Sequence, residues 1–258
     1  LFTDELQVRW KSLIIPHLFF KFCQAFPNAA RKVLRRRTEK LLPSSIPHDP
    51  NFQPKYGPWE QRLCVCPDGD FFEALRDKNC DVVTSKIKNI TATSIEIESG
   101  QTLDADIIIT ATGLKIQLVG GATVSVDGVA VDFSKKFVWK GVMLQDIPNA
   151  CLVIGYTNAS WTLGADTTAQ LVCRLLKHME KNNQSSAVPR LPQGTCMKAM
   201  PIMNLSSTYV EKAKDRLPLA GDVAPWNSRD NYLTDYWVSQ YGNLTSNLEF
   251  REISKKLN

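Results

Sequence analysis

Two short apolar runs constrain the fold of this chain more than any other feature: Asp106-Ile107-Ile108-Ile109-Thr110 and Cys151-Leu152-Val153-Ile154-Gly155. Neither alternates apolar with polar residues, so each reads as a strand covered on both faces, as in a parallel sheet sandwiched between helices. In such α/β folds, ligands bind just beyond the carboxyl ends of the strands. The two junctions that follow are therefore the first candidates for a site.

The first junction is Ala111-Thr112-Gly113. Small residues there let backbone approach a ligand closely, and Gly113 accepts φ values that other residues resist. An ordinary tight turn is an equal reading of the same three residues. The second junction, Tyr156 to Thr162, precedes a helix expected over 165–179, with Ala165, Ala169, Val172, Leu175, Leu176 and Met179 on its inner face. A helix N-terminus presents unpaired amides and partial positive charge. Thr157, Asn158 or Ser160 is placed to cap it, and capping is compatible with holding the electron-rich edge of a cofactor.

Ahead of these runs the chain has a different character. Residues 1 to about 42 read as helical, the second helix running from Ala29 to Leu42 and carrying Arg31, Lys32, Arg35, Arg36, Arg37 and Lys40. A solvated face is the plain reading of those cations, and a patch for an anionic partner the sharper one. Residues 43–60 hold five prolines, which excludes helix and central strand and predicts a long extended connection. Beyond it, Phe71–Arg76 reads as a short helix behind the turn Pro67-Asp68-Gly69-Asp70, and Asp81–Thr84 as a strand. Ser94–Glu98 and Thr102-Leu103 read as a strand pair turning at Ser99–Gln101, and Val124–Phe133 as a hairpin around Asp127-Gly128. Residues 182–200 are polar and proline-bearing, and the tail from Tyr209 reads as short amphipathic pieces.

Several function classes start weak. There is no G-x-G-x-x-G, no phosphate loop, no serine elbow and no zinc helix. With three histidines and a lone C-x-C at Cys64 and Cys66, no metal site is expected. Seven dispersed cysteines, several within apolar stretches such as those around Cys151 and Cys173, argue against a disulfide framework and for a reducing, cytoplasmic setting. No apolar run is long enough to span a bilayer. The net charge of +5 favours anionic cofactors or surfaces without implying nucleic acid.

A resemblance sharpens these readings. The segment Phe52-x-Pro54-x-Tyr56-x-Pro58-Trp59-x-Gln61-Arg62-Leu63-Cys64, followed by Pro67-Asp68-Gly69-Asp70, resembles Baeyer–Villiger monooxygenases of the ethionamide-activating type. The likeness continues through Asp106 to Gly113, Lys140 to Leu144, Ile154 to Leu163, Pro225-Trp226 and Asn231-Tyr232-Leu233. In that family an FAD domain is interrupted in sequence by an NADP domain. The resemblance implies an α/β chain carrying part of a two-dinucleotide-binding-domain flavoprotein fold, with the N-terminal Rossmann half absent. Residues 1–110 would be a helical insertion and the end of the NADP-binding domain, and 111–258 the returning part of the FAD-binding domain.

It further implies an FAD- and NADPH-dependent monooxygenase that converts ketones to esters with molecular oxygen, or oxygenates a thioether sulfur. Arg62 matches the family's catalytic arginine, a permanent cation for the anionic tetrahedral adduct. Gln61 stands near the NADP position, and Ala111, Thr112, Gly113, Thr157, Asn158, Ala159 and Ser160 would line FAD. Trp59 and Trp161 are candidates for the substrate pocket. A catalytically inactive remnant or interaction module is the alternative, and a basic membrane- or nucleic-acid-associated protein resting on residues 13–40 is a third class. Strands that normally pair with an absent half would leave sheet edges open, predicting poor solubility or self-association.

Overall fold

The structure, a computed structural model, describes residues 2–64, 66, 68–77 and 80–252. The chain divides into two compact units, Leu1–Leu114 and Lys115–Asn258.

The first unit opens with helices α1 (Phe2–Ala25) and α2 (Pro27–Leu41), the latter started by Pro27 at its first position. The proline-rich connection is irregular throughout, as its composition dictates. It is pinned by Phe52, whose ring meets Phe71 and Phe72 of α3 (Asp70–Arg76) at 6.3 Å each. Gly69 precedes α3 in the left-handed conformation (φ +73). Of the turn expected there, Pro67 lies outside the described residues. A three-stranded antiparallel sheet follows: β1 (Ile87–Ile90), β2 (Ser94–Ile97) and β3 (Thr102–Asp104), with β2 central. The strand pair expected from the period-two pattern at 94–98 is present, and β1 joins it.

The second unit contains the hairpin β4 (Ser125–Val126) and β5 (Val129–Ala130) about Asp127-Gly128, then β6 (Val138–Trp139) and β7 (Met143–Leu144). Lys140 and Gly141 turn β6 into β7 with φ of 49 and 66, the mirror-image turn that suits strand twist. Helix α4 (Trp161–Lys181) leads to β8 (Gln184–Pro189). After β9 (Met200–Pro201), α5 (Thr208–Glu211), β10 (Leu219–Ala220) and α6 (Tyr232–Tyr241), the strand β11 (Leu248–Glu252) returns to pair antiparallel with β8. The core gathers Trp139, Met143, Leu171, Leu175, Ala187 and Trp226, so α4 lies on the β8–β11 ribbon and the β6–β7 turn. Arg174 of α4 donates to the carbonyls of Ser239 and Gly242 (2.5 and 3.1 Å), satisfying the C-terminus of α6.

Several expectations fail in instructive ways. The runs 106–110 and 151–155 are not strands: the first has no sheet partner, and the second makes only an isolated bridge, Met143 to Cys151. Ile107 and Ile109 are 81% and 87% exposed, and Val153 is 60% exposed. A parallel strand gains its hydrogen bonds only from neighbours; among the described residues no strand lies beside the first run, and the second meets only β7, antiparallel and through one bridge. All pairings between named strands are antiparallel. The architecture is thus mixed helix and strand, without the parallel sheet foreseen. Asp81–Thr84 is likewise not a strand. Cys151 and Cys173 are exposed, not core residues, and all seven cysteines are free, with Cys23 buried. Residues 184–189, in a stretch read only as polar and proline-bearing, form a six-residue strand.

One ion-pair cluster ties this unit together. Asp146, at positive φ (62), receives Lys136 Nζ and Arg190 Nη1, both at 2.9 Å, and Arg190 continues to Glu249 of β11 at 2.7 Å. Burial pushes the Asp146 carboxyl up, but the bonds from Lys136 and Arg190 outweigh it and hold the group below its ordinary value of 3.8. A depressed carboxyl stabilises the fold above its unfolded pKa and loses that contribution as pH falls through the folded value. Asn tolerates the same left-handed backbone. Asp146→Asn is therefore expected to cost about 1 kcal/mol near pH 7, a modest figure because the cluster is partly exposed. Urea unfolding against pH should show that difference vanish below pH 3.8.

Candidate functional site

In the first unit, the turn before Arg62 is held tightly. Glu60 N donates to Gly57 O (3.1 Å), and Gly57 N donates to the Glu60 carboxylate (2.8 Å). Between them Trp59 adopts φ 70, an unusual backbone for an aromatic residue, with its ring edge-on to Phe20 of α1 at 5.4 Å. Such outliers persist where the surroundings over-determine them, often at functional sites. The chain leaves this turn through Gln61 and Arg62, both half-buried, Gln61 bridging to Pro58. Downstream, Asp70 accepts from Cys66 Sγ and Phe71 N (both 2.9 Å), and these bonds hold its carboxyl below the usual range.

Ala111, Thr112 and Gly113 lie in the same unit on an exposed, extended segment. Gly113 has φ +103, and a Cβ there would meet nothing within 4 Å. Its backbone face is open, as close approach by a ligand requires.

The second unit holds Thr157, Asn158, Ala159 and Ser160 in the loop that leads into α4, the first three half-buried and Ser160 exposed. Ser160 caps the helix, its hydroxyl accepting from Thr162 N at 3.3 Å. The first turn of α4 rests directly on the preceding backbone. A Cβ on Gly164 would come within 2.8 Å of Gly155 Cα and Ile154 O, and one on Gly155 within 2.3 Å of the Trp161 ring. Only glycine at both positions allows this approach.

Beneath the loop is a polar network not foreseen from the sequence. Arg229 and Asp235, with side chains 10% and 16% exposed, approach to 3.7 Å. Tyr156 donates its hydroxyl to Asp235 at 2.8 Å. Arg229 donates to Thr168 Oγ1 at 2.8 Å, to Thr167 Oγ1 and to Tyr156 Oη, and its guanidinium lies 5.4 Å over the Tyr156 ring. Asn158 Nδ2 donates to Asp230 O at 2.7 Å. The segment 229–235 thus anchors the loop from Tyr156 to Asn158. Gly141 is part of the same packing, since a Cβ there would fall 2.0 Å from Arg229 Cδ. Burial raises the Tyr156 and Asp235 pKa values, the neighbouring charge of Asp235 adding to the rise at Tyr156.

This network explains why α4 buries Gly164, Thr167, Thr168, Leu171, Leu175 and Met179 and leaves Leu176 exposed, a face rotated from the one expected. The threonines turn inward because Arg229 needs acceptors. No hydrophobic periodicity encodes that demand. The only trace in sequence is a lone Arg–Asp pair, Arg229 and Asp235, six residues apart in a polar tail. Beside the loop, an apolar cleft of about 360 Å³ runs past Leu152, Val153, Ile154, Trp161, Met203 and Pro218.

The expected site residues therefore fall in three places. Gln61 with Arg62, and Ala111 to Gly113, belong to the first unit; Thr157 to Ser160 belong to the second. Among the described residues there is no group of three or more metal-ligating side chains, and no helix is long and apolar enough to cross a membrane.

The described residues thus offer an exposed apolar run, an open glycine after it and a glycine-packed helix N-terminus. Over nine tenths of its length the chain is homologous to FAD-containing monooxygenases. It is 42% identical over 92% of its length to the FAD-containing monooxygenase EthA of Mycobacterium tuberculosis. It is 40% identical over 90% to EthA of Mycolicibacterium smegmatis, and 40% identical over 88% to the "Probable FAD-binding monooxygenase AlmA" of Acinetobacter baylyi. The chain spans about half the length of these relatives (48%, 47% and 45%). No family model matches the chain, and no solved structure matches it.

Proposed function

We propose that this chain is the carboxy-terminal half of an FAD- and NADPH-dependent monooxygenase of Baeyer–Villiger type. Its substrates would be ketones, converted to esters, or thioethers, converted to sulfoxides, with molecular oxygen as co-substrate. One observation carries the reading: a chain 42% identical to a protein of twice its length leaves the apolar run 106–110 without a sheet neighbour among the described residues, and the run 151–154 with only the single bridge from Cys151 to Met143. Those runs are where strands from another part of the protein would add. The residues before and after them are the end of an NADP-binding domain and the return of an FAD-binding domain. Left alone, such edges favour self-association.

The residues present fit a flavin in two respects. Gly113 offers an open backbone face, and the N-terminus of α4 offers partial positive charge to the edge of an electron-rich ring. A pyrophosphate cradle is not among them, because no G-x-G-x-x-G occurs in the chain. Bound FAD supplies two-electron reduction and oxygen activation. In the first unit, Ala111, Thr112 and Gly113 are the residues that would admit a flavin, and Gln61 the one that would serve the nicotinamide nucleotide. In the second unit, Thr157, Asn158, Ala159 and Ser160 are the residues that would hold a flavin, Asn158 being fixed by its bond to Asp230. Arg62 would present its guanidinium to the negative charge that develops at the ketone oxygen.

The test is to supply the amino-terminal half of an EthA-type relative and follow NADPH consumption together with ester or sulfoxide formation. Product formed only with both halves present supports the reading. FAD binding without any oxygenated product would instead assign the chain to an inactive remnant.

A further inference from the structure

The first two helices carry an arrangement that the monooxygenase reading does not use. Residues 6–40 contain nine cations and a single acid, Glu39, whereas the remainder of the chain is net negative. The charge of this protein is therefore segregated into one helical pair. Arg35 is neutralised by Glu39 (2.7 Å) and Asp49 (2.9 Å). Arg31, Lys32, Arg36, Arg37 and Lys40 are exposed, and no ion pair among the described residues involves them.

Helix α1 is apolar on both sides, which ordinarily means burial on both sides. Only one side is covered. Cys23 is buried, and Phe20 packs edge-on against Trp59. Opposite them, Trp10, Ile14 and Leu18 follow at four-residue spacing, flanked by Ile15, and all four are exposed, Ile15 and Leu18 at 62% and 61%. Phe26, at the joint between the helices, is 61% exposed. Lys11 and Lys21 lie on this same side of the helix and are also exposed. A tryptophan, aliphatic side chains and lysines on one face, followed by a helix rich in exposed arginine and lysine, is the composition that settles into the headgroup region of a bilayer.

We propose that α1 and α2 form a monotopic docking element for an anionic phospholipid surface. The apolar side chains Trp10, Ile14, Ile15 and Leu18 enter the acyl boundary, and Arg31, Lys32, Arg36 and Arg37 meet the headgroups. Among the described residues no helix is long and apolar enough to cross, so the proposed element would lie on one leaflet. A nucleic acid would satisfy the cations but give Ile14, Ile15 and Leu18 nothing to contact. The assignment stands apart from the monooxygenase reading and survives its failure.

The test is co-sedimentation of the 258-residue chain with vesicles of phosphatidylcholine alone or mixed with phosphatidylglycerol. Partition onto the anionic vesicles is expected to exceed that onto neutral ones by about tenfold or more, each basic side chain near the surface adding to the attraction. Ile14→Glu/Leu18→Glu and Arg36→Gln/Arg37→Gln should each lower binding about tenfold, with helix content by circular dichroism unchanged. The arginine pair is exposed, so it decides the matter even where the glutamate pair disturbs α1. Equal partition onto both vesicle types, wild-type binding by the arginine variant, or binding to duplex DNA in preference to anionic vesicles would overturn the proposal.

Discussion

Arg229→Met is expected to lower the stability of the second unit by about 3–5 kcal/mol, the usual cost of removing one partner from a buried charge pair. Methionine replaces the volume but none of the donors. Asp235 then keeps only the Tyr156 hydroxyl, and Thr167 and Thr168 lose the guanidinium they face. The effect carries a pH signature. Burial already raises the Asp235 carboxyl above its ordinary value of 3.8, so its ionisation opposes folding. A raised carboxyl penalises the fold above its folded pKa, and the penalty is gone below the unfolded one. The deficit of the variant should therefore be greatest near neutrality and shrink as pH falls toward 3.8, which urea titrations at several pH values would show. A deficit that does not vary with pH would mean that Arg229 acts by packing alone.

Arg62→Ala is expected to lower the rate of ketone oxygenation by about 10²–10³, with little change in KM, in enzyme reconstituted from both halves. That is the scale for losing one preorganised partner of an anionic intermediate. The turn that delivers Arg62 supports the expectation, since Trp59 holds a costly left-handed backbone immediately before it. Lysine restores a point charge but not the planar donor fork, so Arg62→Lys should recover only part of the rate. A loss confined to KM would place Arg62 in substrate binding instead.

The sequence made the local elements legible where local physics decides them. Prolines at 43–60 forbade regular structure, Asp127-Gly128 demanded a hairpin turn, and the Ser94–Ile97 alternation required a half-buried strand. It misled where an element depends on neighbours. Ile107, Ile108 and Ile109 have the composition of a buried strand, but hydrogen-bond partners come from elsewhere in space, and none of the described strands supplies them. The β8–β11 ribbon was illegible for a related reason: Gln184 to Pro189 is half polar with no alternation, and its pairing spans some sixty residues of chain, as Leu248 opposite Pro189 shows. Of the candidate site, Gly113 and the capping Ser160 could be read directly, whereas the close packing at Gly141, Gly155 and Gly164 could not. The Arg229–Tyr156–Asp235 network could not, because its members are brought together by tertiary packing and follow no period.

The measurement that bears most directly on the account is FAD binding by the purified chain, read from quenching of flavin fluorescence. The account predicts no binding by the chain alone, since its open Gly113 and the N-terminus of α4 provide no pyrophosphate cradle, and binding once the amino-terminal half of a relative is added. Tight binding of FAD by the chain alone would contradict it.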